Sequence, residues 1–336
     1  MAARAAVGVG TVSRVLNGSA HVSTKTRAKV LVAIEELGYR PDQNARSLAR
    51  GRRGAVGVVV PFFTHPSAVE RLRGVLEVMG EDPIQVVAFN VATLEQRRRQ
   101  LTQLRMLDQT DGVLIMSLSP QPEDAEALRR SGIRVVLVDA EHPDMSRVVI
   151  DDVHGGWLAT QHLVTLGHRQ IAFVGDDWPP GYGFTAAACR HQGYLNALDE
   201  AGLSAPEAYY RKGPYGRVTA HRLTRELLAL PEPPTAIFAA SDTQAFGVLE
   251  ALTGAGLTVP GDVSVVGFDD LEVAAYVGLT TVRQPLQLSG QRGIQLLLAS
   301  LRHGPGPPVE ERLPLELIVR NTTAPPSSRS RPLDTP

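Results

Sequence analysis

Beyond residue 55 the chain repeats one pattern: a short, wholly apolar run is followed by a turn and then by a segment with helical periodicity. The apolar runs predict strands at residues 56–60, 84–89, 112–116, 135–138, 171–174, 236–239 and 263–268. The segments between them predict helices at residues 66–79, 94–107, 155–166, 186–201, 219–230 and 242–255. Strands that are apolar throughout and alternate with helices indicate parallel sheets covered on both faces. Because about 270 residues follow this pattern, we expect two doubly wound α/β lobes.

Residues 1–53 follow a different pattern, that of short amphipathic helices joined by tight turns. Apolar residues spaced by three and four predict a helix at 11–16 that ends at Asn17-Gly18. Its apolar stripe comprises Val12, Val15 and Leu16, and its outward positions are Thr11, Ser13 and Arg14. A second predicted helix begins after Ser23, a suitable N-cap residue, and ends at Gly38. The residues expected on its buried face are Val30, Ala33, Ile34 and Leu37.

The stretch "VGVGTVSRVLNG" (residues 7–18) is also one substitution away from the G-x-G-x-x-G loop that binds dinucleotides. Such a loop follows a buried strand, whereas only the alanine-rich "MAARAAV" precedes Gly8. Ser13 stands where the third glycine belongs. We therefore favour the helical interpretation over a dinucleotide site.

Charge is segregated along the chain. The formal net charge of −1 divides into +7 for residues 1–53, which hold ten Lys and Arg against three Asp and Glu, and −8 for the remainder. Lys25, Arg27 and Lys29 lie near the start of the second helix, where the helix dipole does not favour them. We interpret them as phosphate contacts, and the basic head as a module that binds a polyanion.

The composition, with 43% hydrophobic and 21% charged residues, is typical of a globular protein. Neither a run of about 18 apolar residues nor the apolar core of a signal peptide can be drawn, so we predict no membrane association and expect a cytoplasmic location. The single cysteine, Cys189, cannot form an internal disulfide, which agrees with a reducing compartment.

Short helices joined by tight turns, one of them exposing Thr, Ser and Arg, are the helix-turn-helix arrangement. The stretch "TVSRVLNGSAHVSTKTRAKVLVAIEELGYRPDQNARSLARG" closely resembles the DNA-binding headpiece of LacI-family transcriptional regulators. Three further motifs resemble the core of that family: "LGHRQIAFVG", "VPGDVSVVGFDD" and "TTVRQP". The resemblance covers nearly the whole chain except the tail.

The resemblance implies an all-α helix-turn-helix headpiece followed by an α/β core of two doubly wound parallel-sheet lobes, as in type I periplasmic binding proteins. The expected boundaries are 1–42 for the headpiece, 43–54 for a hinge helix and linker, 55–325 for the core and 326–336 for a disordered tail. Within the core we expect an N-lobe at 55–148 and 286–312 and a C-lobe at 149–285 and 313–325. The Pro/Ser-rich tail holds no leucine heptads, so we expect no C-terminal coiled coil.

In the family, the recognition helix lies in the major groove and the hinge helix enters the minor groove of a palindromic operator bound by a homodimer. The DNA-binding residues that the resemblance implies are Val9, Gly10, Thr11, Ser13, Arg14, Asn17, His21, Ser23, Thr26, Ala45 and Leu48. Arg14 is the expected bidentate contact to a guanine, and Leu48 the apolar wedge between base steps. The alternative for Leu48 is a core position in a linker helix.

Val9 and Gly10 depart from the family, because they stand at the two positions that usually vary to select an operator. Neither carries a hydrogen-bonding side chain. We therefore predict that the operator is read mainly through Arg14 and the minor-groove hinge.

The start of the chain is a second departure. Met1 occupies the position of a valine in the longer opening helix of the family, and Ala6 that of the turn glycine. A helix over residues 1–5 is little more than one turn, which is marginal in isolation. Our hypothesis is that the native start lies a few codons upstream and that a valine codon is written as Met1.

The core of the family holds a small-molecule effector between its lobes. The effector-binding residues that the resemblance implies, together with aromatic residues of nearby loops, are Phe63, Asp139, Trp178, Tyr182, Arg190, Ser241, Asp242 and Asp269. A helix N-cap is an equally good interpretation of Asp242, and aromatic residues in such loops more often serve in packing. The expected ligand is a sugar or sugar phosphate, less often a nucleobase. Induction and corepression both stay open.

Two other classes of function are weaker. An enzyme is disfavoured because the sequence contains no G-x-S-x-G motif or P-loop, and its nine histidines lack metal-ligand spacing, so we expect no cofactor and no metal. An extracytoplasmic solute-binding protein would need a signal peptide and has no use for a +7 head.

Overall fold

A computed structural model describes residues 1–16, 21–38, 53–80, 84–101 and 109–327. The chain divides into two compact units, Met1–Gly54 and Ala55–Pro336. In the described part of the chain, no helix combines the length and the apolar character needed to cross a membrane.

Three helices are described in the first unit: α1 (Ala2–Ala5), α2 (Val9–Leu16) and α3 (Thr24–Glu36). The side chains buried between them are Ala5, Val12, Val15, Val30 and Ala33, with Leu16 and Ile34 partly buried against them. This arrangement confirms the two predicted apolar stripes except at Leu37, which is 52% exposed. Leu37 does not lie on the buried face because α3 ends at Glu36, the residue before it.

A parallel six-stranded sheet forms the first lobe of the second unit, in the order β11-β5-β4-β3-β1-β2. Its strands are β1 (Ala55–Val60), β2 (Gln85–Asn90), β3 (Gly112–Met116), β4 (Arg134–Val138), β5 (Ser146–Val149) and β11 (Glu310–Arg312). Its helices are α4 (Pro66–Met79), α5 (Leu94–Leu101), α6 (Pro122–Ser131) and α12 (Leu286–His303). Separate clusters of buried apolar side chains cover the two faces, as the wholly apolar runs predict.

The second lobe contains the other six-stranded sheet, in the order β12-β10-β9-β8-β6-β7. Its strands are β6 (Ile171–Asp176), β7 (Tyr210–Gly213), β8 (Ala236–Ala239), β9 (Ser264–Asp269), β10 (Thr280–Arg283) and β12 (Glu316–Ile318). Its helices are α7 (Asp152–Thr165), α8 (Ala186–Glu200), α9 (Arg217–Leu228), α10 (Asp242–Gly254) and α11 (Glu272–Tyr276), with a 3-10 turn at Glu207–Tyr209. All pairings are parallel except that of β12 with β10.

The chain passes between the lobes after β5, after β10 and between β11 and β12. The helix after β10, α12, therefore returns to the first lobe and packs against α4. The two helices touch closely, because a Cβ added at Gly74 would lie 2.0 Å from the Gln287 carbonyl oxygen, and one at Gly290 would lie 2.0 Å from that of Arg71. A larger residue at either glycine would push the helices apart.

One predicted element differs from the structure in its burial, and another is described only in part. The run at 84–89, expected to be buried, forms the edge strand β2, which is exposed at Gln85, Ala88 and Asn90 because it has a neighbour on one side only. The helix expected at 94–107 is described only as Leu94–Leu101, and residues 102–108 lie outside the described part of the chain.

Candidate functional site

The first unit presents one face of α2 outward. Val9, Gly10, Ser13 and Arg14 are exposed on it, while Thr11 is half-buried. The carbonyl oxygen of Gly8 accepts the first two helical hydrogen bonds, from the amides of Thr11 and Val12, which fixes the start of the helix at Val9. α2 therefore offers one cationic side chain, Arg14, within a surface that is otherwise small or apolar.

The start of α3 lies close to α2 in sequence and adds further polar groups. Ser23 is the N-cap of α3, as predicted: its hydroxyl accepts a hydrogen bond from the Thr26 amide at 3.2 Å. The Ser23 and Thr26 hydroxyls also lie 2.9 Å apart. His21, Lys25 and Lys29 are exposed. The other predicted DNA contacts, Asn17, Ala45 and Leu48, lie outside the described residues.

Ala6 ends α1 in the left-handed conformation, with φ 51°. This is the position at which the family resemblance places a glycine. For an L-residue the conformation costs about 1–2 kcal/mol, so the short first helix carries a backbone strain that glycine would remove.

A cleft between the two lobes of the second unit brings together five of the eight predicted effector residues. These are Asp139, Trp178, Arg190, Ser241 and Asp269. The cavity encloses about 80 Å³, which is below the ~300–1,000 Å³ of typical small-molecule sites. A ligand of the size of a sugar therefore fits only if the lobes or the lining side chains move apart.

Arg190 lies at the centre of the cleft on the second-lobe side, projecting from the first turns of α8. Its Nε donates to Asp152 Oδ1 at 2.7 Å, and one terminal nitrogen donates to the Ala240 carbonyl oxygen at 2.7 Å. The guanidinium lies 3.6 Å from the centroid of the Phe268 ring and 3.9 Å from Asp269 Oδ1. These contacts fix a buried cation at the carboxyl end of the sheet, where parallel sheets bind ligands.

On the first-lobe side, Asp139 ends β4 and accepts hydrogen bonds from Ser117 Oγ at 2.7 Å and from Arg71 at 2.8 Å. Arg71 also donates to Gln284 Oε1 at 2.9 Å, and Gln284 Nε2 donates to Asp269 Oδ1 at 2.5 Å. The side chains form a continuous polar chain from one lobe to the other.

Burial governs the ionisation of the cleft carboxyl groups. It raises the pKa of Asp152 and the pKa of Asp269 to about 6, although the nearby Arg190 guanidinium opposes both shifts. Burial also raises the pKa of Asp176, whose carboxylate accepts a hydrogen bond from the Trp178 indole. The cleft therefore begins to take up protons near pH 6.

The segment 177–184 of the second lobe reaches across to the first. The Tyr182 hydroxyl donates to the Val91 carbonyl oxygen at 2.8 Å, and the Ser119 amide donates to the Gly183 carbonyl oxygen at 3.1 Å. The Trp178 ring lies 5.1 Å from that of Phe62. The segment thus links the lobes beside the cleft through both aromatic packing and hydrogen bonds.

The structure places the remaining three predicted effector residues outside the cleft. Phe63 is 44% exposed on another surface, beside α4. Tyr182 is buried in the apolar cluster of the first lobe because its segment crosses to that lobe. Asp242 is fully buried, where it accepts hydrogen bonds from the Leu271 amide and the Thr281 hydroxyl. The N-cap of α10 is Ser241, which accepts from the Gln244 amide at 3.2 Å, so the capping role considered for Asp242 is wrong.

Several residues of the cleft were not predicted from the sequence. Ser117 and Asp176 stand at the carboxyl ends of β3 and β6, a position that itself indicates ligand binding in parallel sheets. Arg71 and Gln284 carry no such signal, because one lies within a helix and the other in a connection between lobes.

A larger cavity of about 610 Å³ lies in the first lobe, between α6 and the segment that follows α12. Its lining mixes aliphatic and proline residues with charged ones such as Arg134 and Asp144, and none of the unpartnered buried polar atoms found in the described residues belongs to it. The interlobe cleft, with its converging polar groups, is the better candidate for a specific ligand site.

Comparison with known proteins agrees with both halves of this architecture. Residues 1–42 match the family "Bacterial regulatory proteins, lacI family", and residues 160–323 match the "Periplasmic binding protein-like domain". The chain is 34% identical over 306 residues to Catabolite control protein A of Priestia megaterium, covering 88% of this chain and 90% of that protein.

Two similar solved structures span nearly the full length. One is the transcriptional regulator CelR–cellobiose complex, 34% identical with a TM-score of 0.72, covering 96% of this chain and 98% of that one. The other is the lac repressor dimer bound to operator and the anti-inducer ONPF, 28% identical with a TM-score of 0.83, covering 96% and 97%.

A helix-turn-helix unit joined to a two-lobe core of the periplasmic-binding-protein type defines a DNA-binding transcriptional regulator. The chain belongs to the LacI family of such regulators.

Proposed function

We propose that the protein is a repressor that binds a palindromic operator as a homodimer and whose affinity for DNA is controlled by a sugar in the interlobe cleft. The observation that carries the proposal is the combination, in one chain, of an exposed α2 face bearing Arg14 with a cleft whose polar groups converge from two lobes. The similar CelR structure holds cellobiose, and the similar lac repressor dimer is bound to operator DNA.

The proposal gives the cleft a sensing role and no catalytic one, because the relatives are named as transcriptional regulators. It places the protein in the cytoplasm, since that compartment contains operator DNA in bacteria. Coupling takes the form of a population shift: a sugar that favours one arrangement of the lobes changes the fraction of protein competent to bind DNA.

Two exposed apolar surfaces support a homodimer. Phe63, Val69 and Leu76 lie on or beside α4 of the first lobe, and Val273 and Tyr276 lie on α11 of the second. Contiguous apolar patches on a globular protein mark association sites. We infer that a second copy of this chain covers both.

DNA binding is the direct test of this function. In a pool of random duplex DNA, the full chain is expected to enrich a palindromic sequence and to retard it in a mobility-shift assay. A truncation that begins at Ala55 retains the second unit and is expected not to retard the same DNA. Equal affinity of the two proteins would contradict the regulator function.

The side chains at the start of α2 give a second prediction, for the replacement Gly10→Gln. Gly10 is exposed, and a Cβ added there meets no atom within 4 Å, so the variant is expected to fold. A glutamine adds a group that recognises adenine, so operator selection is expected to gain a preference at one position in each half-site, worth about 1–3 kcal/mol. Unchanged preferences at all positions would show that α2 does not present residue 10 to the bases.

A further inference from the structure

The side chain of Arg71 is the least expected feature of the cleft. It projects from the middle of α4, is 3% exposed and lines the cavity. One terminal nitrogen donates to both Asp139 Oδ2, at 2.8 Å, and Gln284 Oε1, at 2.9 Å. These contacts hold the guanidinium in one orientation and leave its Nε without a protein acceptor.

An unpaired buried N–H is costly, by about 1–3 kcal/mol, and buried polar groups in proteins are nearly always paired. Among the described residues, the buried side-chain atoms without a partner are Arg71 Nε, Arg97 Nε and Gln100 Oε1. Of these three residues, Arg71 alone lines the interlobe cavity. Its Nε–H is therefore an unpaired donor on a side chain that borders the cavity. The Nε is buried in this arrangement of the lobes, so a ligand oxygen reaches it through the same widening of the cleft that a sugar needs in order to enter.

The charges around Arg71 indicate what kind of acceptor it receives. Four carboxyl groups surround the site, those of Asp139, Asp152, Asp176 and Asp269. Arg190 is the other guanidinium in the cleft lining, and it already pairs with Asp152. Carboxylates thus outnumber cations, so a phosphate or carboxylate on the ligand would meet net repulsion. An uncharged hydroxyl or ring oxygen would meet no such repulsion.

We propose that Arg71 is a specificity-determining contact for the effector, and that its Nε–H donates to a hydroxyl or ring oxygen of an unphosphorylated saccharide. This inference rests on the proposed sugar-sensing function and assigns it an additional residue and a narrower class of ligand. Asp139 and Gln284 act as positioning residues, because they orient the guanidinium.

The position of Arg71 on α4 also connects ligand binding with a surface outside the cleft. α4 touches α12 at the Arg71 backbone, where the carbonyl oxygen faces Gly290. The same helix carries Val69 and Leu76 on its exposed side. A ligand held by Arg71 therefore acts on the helix that bears one of the two proposed dimer surfaces.

The test compares Arg71→Lys with Arg97→Lys. Arg97 is a matched control, because it is also a buried arginine of the first lobe, pairs with Asp124 at 2.6 Å and has an unpartnered Nε, but it does not line the cleft. Calorimetric titration uses D-glucose and cellobiose, and glucose 6-phosphate as the charged counterpart. Lysine keeps the charge beside Asp139 and removes the Nε–H donor, so Arg71→Lys is expected to weaken saccharide binding by about tenfold or more, and Arg97→Lys to leave it unchanged.

A second measurement uses the unmodified full chain and does not depend on how a variant folds. The ε-NH resonance of Arg71 is expected to shift on saturation with the bound saccharide, while that of Arg97 stays in place. An unmoved Arg71 signal, or wild-type affinity in Arg71→Lys, would overturn the assignment of Arg71.

Three further outcomes distinguish an error in the ligand class from an error in the proposed function. Tighter binding of glucose 6-phosphate than of glucose would overturn the unphosphorylated class. Absence of binding to either neutral saccharide, in a protein that still retards operator DNA, would overturn the saccharide ligand and leave the DNA-binding function standing. Failure to bind any DNA would contradict the regulator function itself, whatever the cleft binds.

Discussion

Leu76→Asp combined with Tyr276→Asp is expected to convert the protein from dimer to monomer and to lower its affinity for a palindromic operator by about 10²–10⁴-fold. Leu76 is 56% exposed on α4, and Tyr276 is 83% exposed at the end of α11. A carboxylate at either position would be buried without a partner in the proposed interface. A dimer places two headpieces on one operator, and loss of that linkage removes the gain in effective concentration.

The control for this variant is Val309→Asp. Val309 is also exposed and apolar, but it precedes β11, at the edge of the first-lobe sheet opposite to β2. Sedimentation velocity and mobility-shift titration are expected to give a wild-type dimer for Val309→Asp and a weakly binding monomer for the double variant. A double variant that remains dimeric would show that the second copy covers other surfaces.

The elements that could be predicted from the sequence are those whose environment is uniform along their length. The runs at 112–116 and 236–239 match β3 and β8 residue for residue, since both strands are central and buried on both faces. The helix at 66–79 also matches α4, because a proline at its first position and an amphipathic period define it.

The strands that the sequence did not predict lie toward the edges of the sheets. β7 (Tyr210–Gly213) and β11 (Glu310–Arg312) are polar, because an edge strand needs fewer apolar side chains. β12, at another edge, is short and half-exposed for the same reason. β5 and β10 lie one position in from an edge and were missed because each has only four residues, two or three of them polar. A pattern search for continuous apolar runs cannot separate such strands from loops.

Only some of the cleft residues could be predicted from the sequence, because the others reach the cleft through contacts between distant parts of the chain. Asp139, Arg190 and Asp269 could be assigned because each lies within a motif or at a strand end that resembles the family. Nothing in the sequence around Tyr182 indicates that its loop crosses to the other lobe. Arg71 pairs with Gln284 from 213 positions away in sequence. No local pattern records that contact.

The prediction with the largest expected effect on stability concerns Arg190→Leu. Removing the guanidinium would leave Asp152 and Asp269 buried without their cation, and would orphan the Ala240 carbonyl oxygen. Breaking a buried pair in this way costs about 3–5 kcal/mol. Chemical denaturation at pH 7 is the measurement, with Arg129→Leu as the control. Arg129 pairs with Glu126 on the exposed face of α6, and surface pairs contribute about 0–1 kcal/mol.

The pH dependence of this loss distinguishes buried charge from lost packing. The pKa of Asp152 and that of Asp269 are about 6 in the folded protein, above the ordinary 3.8, so the folded state binds protons more tightly than the unfolded state. Without Arg190 both pKa values rise further, because its guanidinium is the larger of the two opposing charges, the other being that of Arg71. As the pH falls from 7 toward 5 the two carboxyl groups become protonated, and the free-energy cost of burying their negative charge is lost. The difference in unfolding free energy between wild type and Arg190→Leu is therefore expected to narrow. A gap that stays constant over this range would attribute the loss to the packing of Arg190 on the Phe268 ring instead of to its charge.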